Sequence, residues 1–354
     1  MATTKSRPTP PIWSQENPIT IYAPGTTQNV DLVKQRMCRE YMLRLFGGLV
    51  CAEANNVPSK IGRGDGGACV SNVTLQQGGS NNIWSLSWDQ LRWMNYFLYR
   101  QFPTISPALT NTGANNPAFN EFLRLPSWQV PFFSFRAYDT VLNTAAFSQL
   151  KLFTTWAGTP GNAASGYQSV NSSATAWSVT PTIEVSSSQS DPTPNAAPAA
   201  IRRVVPIQQV IGAATNAYRI LLDKGPVFRG FYLNYQVAGV DTGGCFTNFQ
   251  IVQGTKVIAN VSEPWLNANS YQRPGMQAPW GVTSAGVGFP ITPALSSASS
   301  TAGNYYFDMV EDGYLSEALP TVSPSGPLPD TYLQFNVATA GTLTVVQDQI
   351  LPLR

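Results

Sequence analysis

The carboxylates Asp308, Glu311 and Asp312 are the densest acidic cluster in the sequence. Oxygen ligands this close together suit a divalent cation at a subunit contact, and equally a solvated acidic loop, which is the simpler reading. A two-carboxylate glycoside hydrolysis would draw on Glu121, Asp139, Glu263 and Asp308, but nothing in their spacing pairs any two of them. Arg63, Gly64 and Asp65 spell an integrin-type tripeptide inside the stretch GRGDGG. That stretch lacks the strand and the Lys-Ser/Thr helix start of a phosphate-binding loop, and in so Gly-rich a chain chance explains both motifs. The sequons beginning at Asn72, Asn171 and Asn260 have the form of glycosylation sites. They are expected to be unused, because the N-terminal MATTKSRPTPPIW has no apolar signal core.

What is missing narrows the chemistry further. There are no histidines, so Ser-His-Asp and Cys-His nucleophile systems and His-based metal sites are excluded. Cys38, Cys51, Cys69 and Cys245 form no CxxC pair, which favours free thiols in a reducing compartment over zinc or redox work. No catalytic residue, cofactor or metal is therefore expected. With no run of 18 apolar residues, the chain is expected neither to be secreted conventionally nor to span a membrane, and to be made in a cytoplasm.

Composition points to a surface meant for other subunits. Of 354 residues, 43% are hydrophobic and 11% charged, with 28 Gly and 28 Pro. The charged share is less than half the usual one of about a quarter, so few side chains keep the surface solvated. Gly, Pro, Ser, Thr and Asn favour short strands joined by turns. The length suits two β-sandwiches of roughly 150–180 residues, each with its own core. A net charge of +2 argues against specific nucleic-acid recognition. The first 63 residues hold 8 basic and 4 acidic side chains, so this region could face phosphate or simply solvent. On its leading segment, Lys5 and Arg7 could touch lipid headgroups, worth on the order of 2 kcal/mol for two charges.

Strands are predicted at 19–23, 130–141, 150–157, 201–211, 227–239, 246–254 and 256–261. Residues 29–51 mix charged and apolar positions without a clean period, leaving helix or strands open, with strands favoured by the comparison of halves below. The runs at 70–86 read as a hairpin around a Gly-Gly turn, and 331–351 as another around Ala-Gly. The best helix is 86–102, with Leu91, Met94, Leu98 and Phe102 on one face and Ser87 as cap. Its Trp88, Trp93, Tyr96, Phe97 and Tyr99 cover more than one face. They fit either a helix packed beside a sandwich or a subunit contact. Residues 186–200, SSSQSDPTPNAAPAA, read as a linker, and 158–200 and 274–302 as turn-rich insertions.

The two halves match each other. CVSNVTLQQG (69–78) lies on CFTNFQIVQG (245–254) at an offset of 176, aligning Cys69 with Cys245 and Gly78 with Gly254. After a one-residue deletion Ile83 meets Ile258, Leu86 meets Val261, Ser87 meets Ser262 and Leu91 meets Leu266. Upstream the match resumes at an offset of 190, with Ile21 on Ile211 and Leu32 on Leu222. The extra Gly-rich loop at 52–68 accounts for the shift, as surface insertions are well tolerated. This is the pattern of a duplicated domain.

Two tandem β-sandwiches with this turn-centred repeat resemble the double jelly-roll major capsid proteins of tailless, icosahedral, membrane-containing bacteriophages, the tectivirus-like group, and their relatives up to adenovirus hexon. The resemblance implies an all-β chain of two tandem eight-stranded jelly-roll β-sandwiches with a short helix and long loop insertions. It implies an N-terminal arm at 1–18 beneath the shell, a first jelly roll at 19–190, a linker at 191–200 and a second jelly roll at 201–354. The turn-rich insertions would be tower or connecting loops. It further implies homotrimers with six similar lobes that tile an icosahedral virion around a genome. Vertex (penton) proteins, minor capsid proteins and an internal lipid membrane would be the partners. Its 9 Trp, 14 Tyr and 17 Phe would serve broad, packed interfaces. The rival readings are a viral spike or receptor-binding protein and a carbohydrate-binding β-sandwich whose aromatic rings would form sugar platforms.

Overall fold

The computed structural model describes residues 12–51, 66–99, 105–106, 118–126, 141–157, 174–190, 200–272, 303–310, 317–323 and 326–352. The chain divides into two compact units, the first ending at Ile201 and the second beginning at Arg202.

In the first unit the strands of five or more residues are β1 (Ile12–Ile21), β2 (Thr27–Asp31), β3 (Met37–Cys51), β4 (Val70–Gln77), β5 (Asn81–Leu86), β6 (Ala118–Pro126), β7 (Leu150–Trp156) and β8 (Ala174–Ser190). Helix α1 (Trp88–Tyr99) lies between β5 and β6. The strands fall into two antiparallel layers, ordered β1-β8-β3-β6 and β2-β7-β4-β5. The second unit repeats the plan with β9 (Ala200–Ile211), β10 (Thr215–Leu221), β11 (Val227–Val237), β12 (Phe246–Gln253), β13 (Lys256–Ser262), α2 (Glu263–Gln272), β14 (Asn304–Asp308), β15 (Thr331–Val337) and β16 (Gly341–Pro352). Its layers are β9-β16-β11-β14 and β10-β15-β12-β13, the same order displaced by eight strands.

In both units every connection but one passes from one layer to the other. The exception is the fourth-to-fifth strand hairpin, β4–β5 and β12–β13. Strand alternation fills the space between layers. In β7, Leu150, Leu152, Thr154 and Trp156 are buried while the residues between them are half-buried, and β15 repeats this with Thr331, Leu333, Phe335 and Val337. The second unit's core joins Phe228, Phe231 and Leu233 of one layer to Phe249, Ile251, Leu333 and Phe335 of the other. Phe246 meets Phe335 and Tyr305 edge to face, a favoured geometry for packed rings.

The sequence repeat is also a repeat of backbone bonds. Gly78 and Gly254 both take φ +60°, the left-handed conformation that closes each hairpin turn. Gly78 N–H donates to Gln149 O at 3.0 Å, and Gly254 N–H to Asp330 O at 2.8 Å. The carbonyl of Cys69 accepts from Ala157 N–H at 2.7 Å, and that of Cys245 from Ala338 N–H at 2.8 Å. Leu32 and Leu222, aligned upstream, donate to Leu150 O and Thr331 O, each at 2.9 Å.

The predicted strands at 150–157, 201–211, 227–239 and 246–261 are present, and 29–51 forms strands β2 and β3. The helix starts at Trp88 and not at 86, because Leu86 ends β5, and the expected 100–102 lie outside the described residues. Ser87 caps it reciprocally: Gln90 N–H donates to Ser87 Oγ at 3.1 Å and Ser87 N–H to Gln90 Oε1 at 3.0 Å. Three expectations need correction. Residues 331–337 and 341–352 are not a hairpin, because β15 pairs β10 and β12 while β16 pairs β11. Residues 174–190, read by composition as turn-rich insertion and from 186 as linker, are β8, and 186–190 are its end, held between β1 and β3. Their small polar side chains fit a crowded inner strand, and Ser187 Oγ bonds Ser14 Oγ at 3.1 Å and accepts from Gln189 Nε2 at 2.8 Å. Residues 12–18, given to an arm, belong to β1. The strand expected at 130–141 falls outside the described residues but for its last residue.

Candidate functional site

The strongest polar chemistry in each unit is a buried ion network that the fold itself completes. In the first unit Glu121 of β6 accepts from Arg92 Nε at 2.6 Å, Arg92 Nη2 at 2.7 Å and Trp88 Nε1 at 2.8 Å. Arg92 and Trp88 sit one turn apart on α1, so the helix reads this one carboxylate with two donors. In the second unit Asp348 of β16 accepts from Arg202 of β9 and Arg229 of β11, and Arg229 also reaches Tyr306 and Asp308 of β14. All four strands of one layer thus contribute to a single charge cluster. Burial alone would push the Asp348 carboxyl up, but the two guanidiniums outweigh it and hold it below the usual carboxylate value.

Of the four carboxylates that a hydrolase would draw on, three have partners. Glu121 is held by Arg92, Asp308 by Arg229 at 3.4 Å, and Glu263 accepts from the Tyr305 hydroxyl at 2.5 Å. Asp139 lies outside the described residues, as do Glu311, Asp312 and the 63–65 tripeptide. Among the described residues no three His, Cys, Asp or Glu side chains gather as a metal site. Asn72 and Asn260 belong to side-chain ladders on their sheets: Asn72 Nδ2 donates to Thr74 Oγ1 at 3.0 Å, and Asn260 Oδ1 accepts from Asn248 Nδ2 at 2.9 Å. Cys38, Cys69 and Cys245 are buried thiols outside any disulfide, and burial pushes the Cys245 thiol up.

The aromatic helix residues are brought together, but as core. Trp88, Trp93, Tyr96 and Phe97 are all buried within the single chain. Trp93 stacks on Phe97 at 5.8 Å and meets Tyr96 edge to face at 6.0 Å. Within the single chain these four side chains are covered by the helix's own unit. The side chain of Tyr99, and both Lys5 and Arg7, lie outside the described residues. Exposed apolar side chains lie elsewhere: Ile12, Trp13 and Ile21 on β1, Val210 on β9, Leu221 on β10, Val257 on β13 and Trp265 on α2. Sequence reasoning passed over them because single apolar residues at strand ends carry no local signature.

The layer orders and the repeated connections decide the architecture. The fold is the double jelly roll. No protein-family model and no curated relative matches the chain by sequence. Solved structures match it along nearly its whole length. The MCP of STIV, the Sulfolobus Turreted Icosahedral Virus, superposes with a TM-score of 0.68 at 11% identity, covering 97% of both chains. The major capsid protein P2 from bacteriophage PM2 gives 0.60 at 9% identity, over 97% of this chain and 98% of that one. VP54 of PBCV-1 gives 0.57 at 15% identity, over 96% and 93%. The double jelly roll is thus matched as a whole, both units and their order included.

Proposed function

We propose that this chain is a viral major capsid protein whose work is assembly. The observation that carries the reading is end-to-end coverage, 97% of each chain for the STIV protein, rather than a match to one β-sandwich alone. A fold by itself does not fix function, so the residues must agree with the role. They do: Glu121 and Asp348 are each locked by arginine, and the charged share of 11% is low for a free surface.

In this reading the first jelly roll (12–190) and the second (201–354), joined at 191–200, give two lobes per chain. Three chains close into a homotrimer with six similar lobes, and trimers tile an icosahedral virion shell around a genome. Residues 1–11, with Lys5 and Arg7, face the interior and an underlying lipid membrane. Vertex and minor capsid proteins complete the shell. No residue acts catalytically and no cofactor is used. The test is electron microscopy of the purified protein at rising concentration. Particles with a hexagonal outline that pack into sheets or shells are expected. Featureless single-chain particles at every concentration would contradict the reading.

A further inference from the structure

The last strand of each unit carries a buried polar pair at the same place in the repeat. Gln349 of β16 lies opposite Phe228 of β11, and Gln189 of β8 lies opposite Cys38 of β3. Phe228 and Cys38 are themselves counterparts at the offset of 190 (228 − 38). Both pairs sit at a β-bulge, where one extra residue, Arg229 or Arg39, swells the facing strand. Two residues before each glutamine stand Gln347 and Ser187, and the bond to them repeats as well. Gln349 Nε2 donates to Gln347 Oε1, as Gln189 Nε2 donates to Ser187 Oγ at 2.8 Å. Leu343 and Val345, at the preceding alternate positions of β16, belong to the core. Gln347 and Gln349 therefore continue the same face into the sandwich, and they are 1% and 0% exposed.

In the first unit the short serine passes the chain of bonds on to Ser14 Oγ at 3.1 Å. In the second unit two groups are left over. Gln347 Nε2 and Gln349 Oε1 are buried and have no hydrogen-bond partner among the described residues. Turning both amides over reverses the bond between them but leaves the same shortage of one donor and one acceptor. Turning only one sets like atoms against each other. Buried polar groups are normally satisfied, and a donor and an acceptor side by side are what one water molecule satisfies. We propose that Gln347 and Gln349 bind one ordered water inside the second jelly roll, and that this hydrated pair fixes the register of β16. Alternation alone does not forbid a slip of two residues, because every side chain then keeps its face. Such a slip toward the core would set Gln347 opposite Leu233, where Val345 now stands. It would strand the amide among apolar side chains, away from its water.

The test is a crystal structure of the full-length protein sharp enough to show ordered waters, with hydrogen–deuterium exchange of the last strand measured beside it. A water peak within hydrogen-bond distance of both amides is expected. Protein atoms in that place, or no peak between the two side chains, would overturn the site. A Gln347→Leu/Gln349→Leu chain removes every polar group of the pair at similar volume. It should lose that water, and its 341–352 segment should exchange as two populations where the native segment exchanges as one. A single slow population in the variant would overturn the register role. Should the double variant fail to fold, the milder Gln349→Met chain is read by the same exchange measurement, with the same two outcomes. The native crystal structure decides the water site whichever variant folds.

Discussion

Arg202 and Asp348, 146 residues apart, form a two-pronged ion pair in the second unit, with Nε to Oδ1 at 2.8 Å and Nη2 to Oδ2 at 2.6 Å. Both side chains are fully buried. Arg229 Nη1 reaches the same Oδ2 at 3.1 Å, so one carboxylate is shared by two guanidiniums across neighbouring strands, and Asp308, 3.4 Å from Arg229, supplies the second negative charge. Such a cluster adds little over an apolar core when complete, but breaking it leaves charge stranded in a medium that solvates it poorly.

Asp348→Asn should therefore lower the stability of the second unit by about 3–5 kcal/mol, the usual cost of orphaning a buried charge. Denaturant unfolding followed by fluorescence would show an earlier transition for that unit. The pH dependence follows from the direction of the shift. The folded carboxyl is held below its ordinary value, so its contribution is present above about pH 4 and is lost only as pH falls through the lower folded value. The wild-type unit should stay folded below pH 4, and the variant should lose that acid resistance. Equal acid midpoints for the two proteins would contradict this.

Glu40 is the opposite case. It is buried in β3, its Oε2 has no hydrogen-bond partner among the described residues, and Arg124 Nη1 stands 3.6 Å away. Burial pushes its carboxyl up, and Arg124 offsets only part of that. The folded state thus pays for ionisation as pH rises past the unfolded value. Glu40→Gln should stabilise the first unit at pH 7 by on the order of 1 kcal/mol. The gain should vanish below about pH 4, where the glutamate is protonated in both states. Thermal melts at the two pH values check this, and a lower melting temperature at pH 7 would refute it.

The two hairpin glycines provide a matched pair. Gly78 and Gly254 share φ +60°, but an added Cβ at Gly78 meets nothing within 4 Å, whereas at Gly254 it would lie 2.8 Å from Pro329 Cβ. Gly78→Ala should cost about 1–2 kcal/mol, the left-handed backbone penalty alone. Gly254→Ala should cost about 1–3 kcal/mol more, because the proline ring cannot turn aside. Parallel melts of the two variants give the comparison, and equal losses would show that Pro329 gives way.

Much of this fold was legible because it is written twice. The CVSNVTLQQG and CFTNFQIVQG blocks carry alternation, a turn glycine and a buried cysteine in one register, and each became a fourth strand with its hairpin. The helix was legible through Ser87 and the Leu91 periodicity. Layer assignment was not. Val337 and Thr344 look like hairpin neighbours, yet their strands lie in different layers, since jelly-roll winding is set by long-range pairing and not by turn chemistry. The serine run at 186–190 reads as linker by composition because its backbone partners, β1 and β3, lie more than 130 residues away. The buried charge clusters were equally silent: nothing near Arg202 points to Asp348.

Native mass by light scattering after size exclusion tests the central claim most directly. The chain weighs 38.3 kDa, so a homotrimer should elute at about 115 kDa, alone or as the species to which larger particles dissociate. A stable, well-behaved monomer at micromolar concentration would contradict the capsid reading.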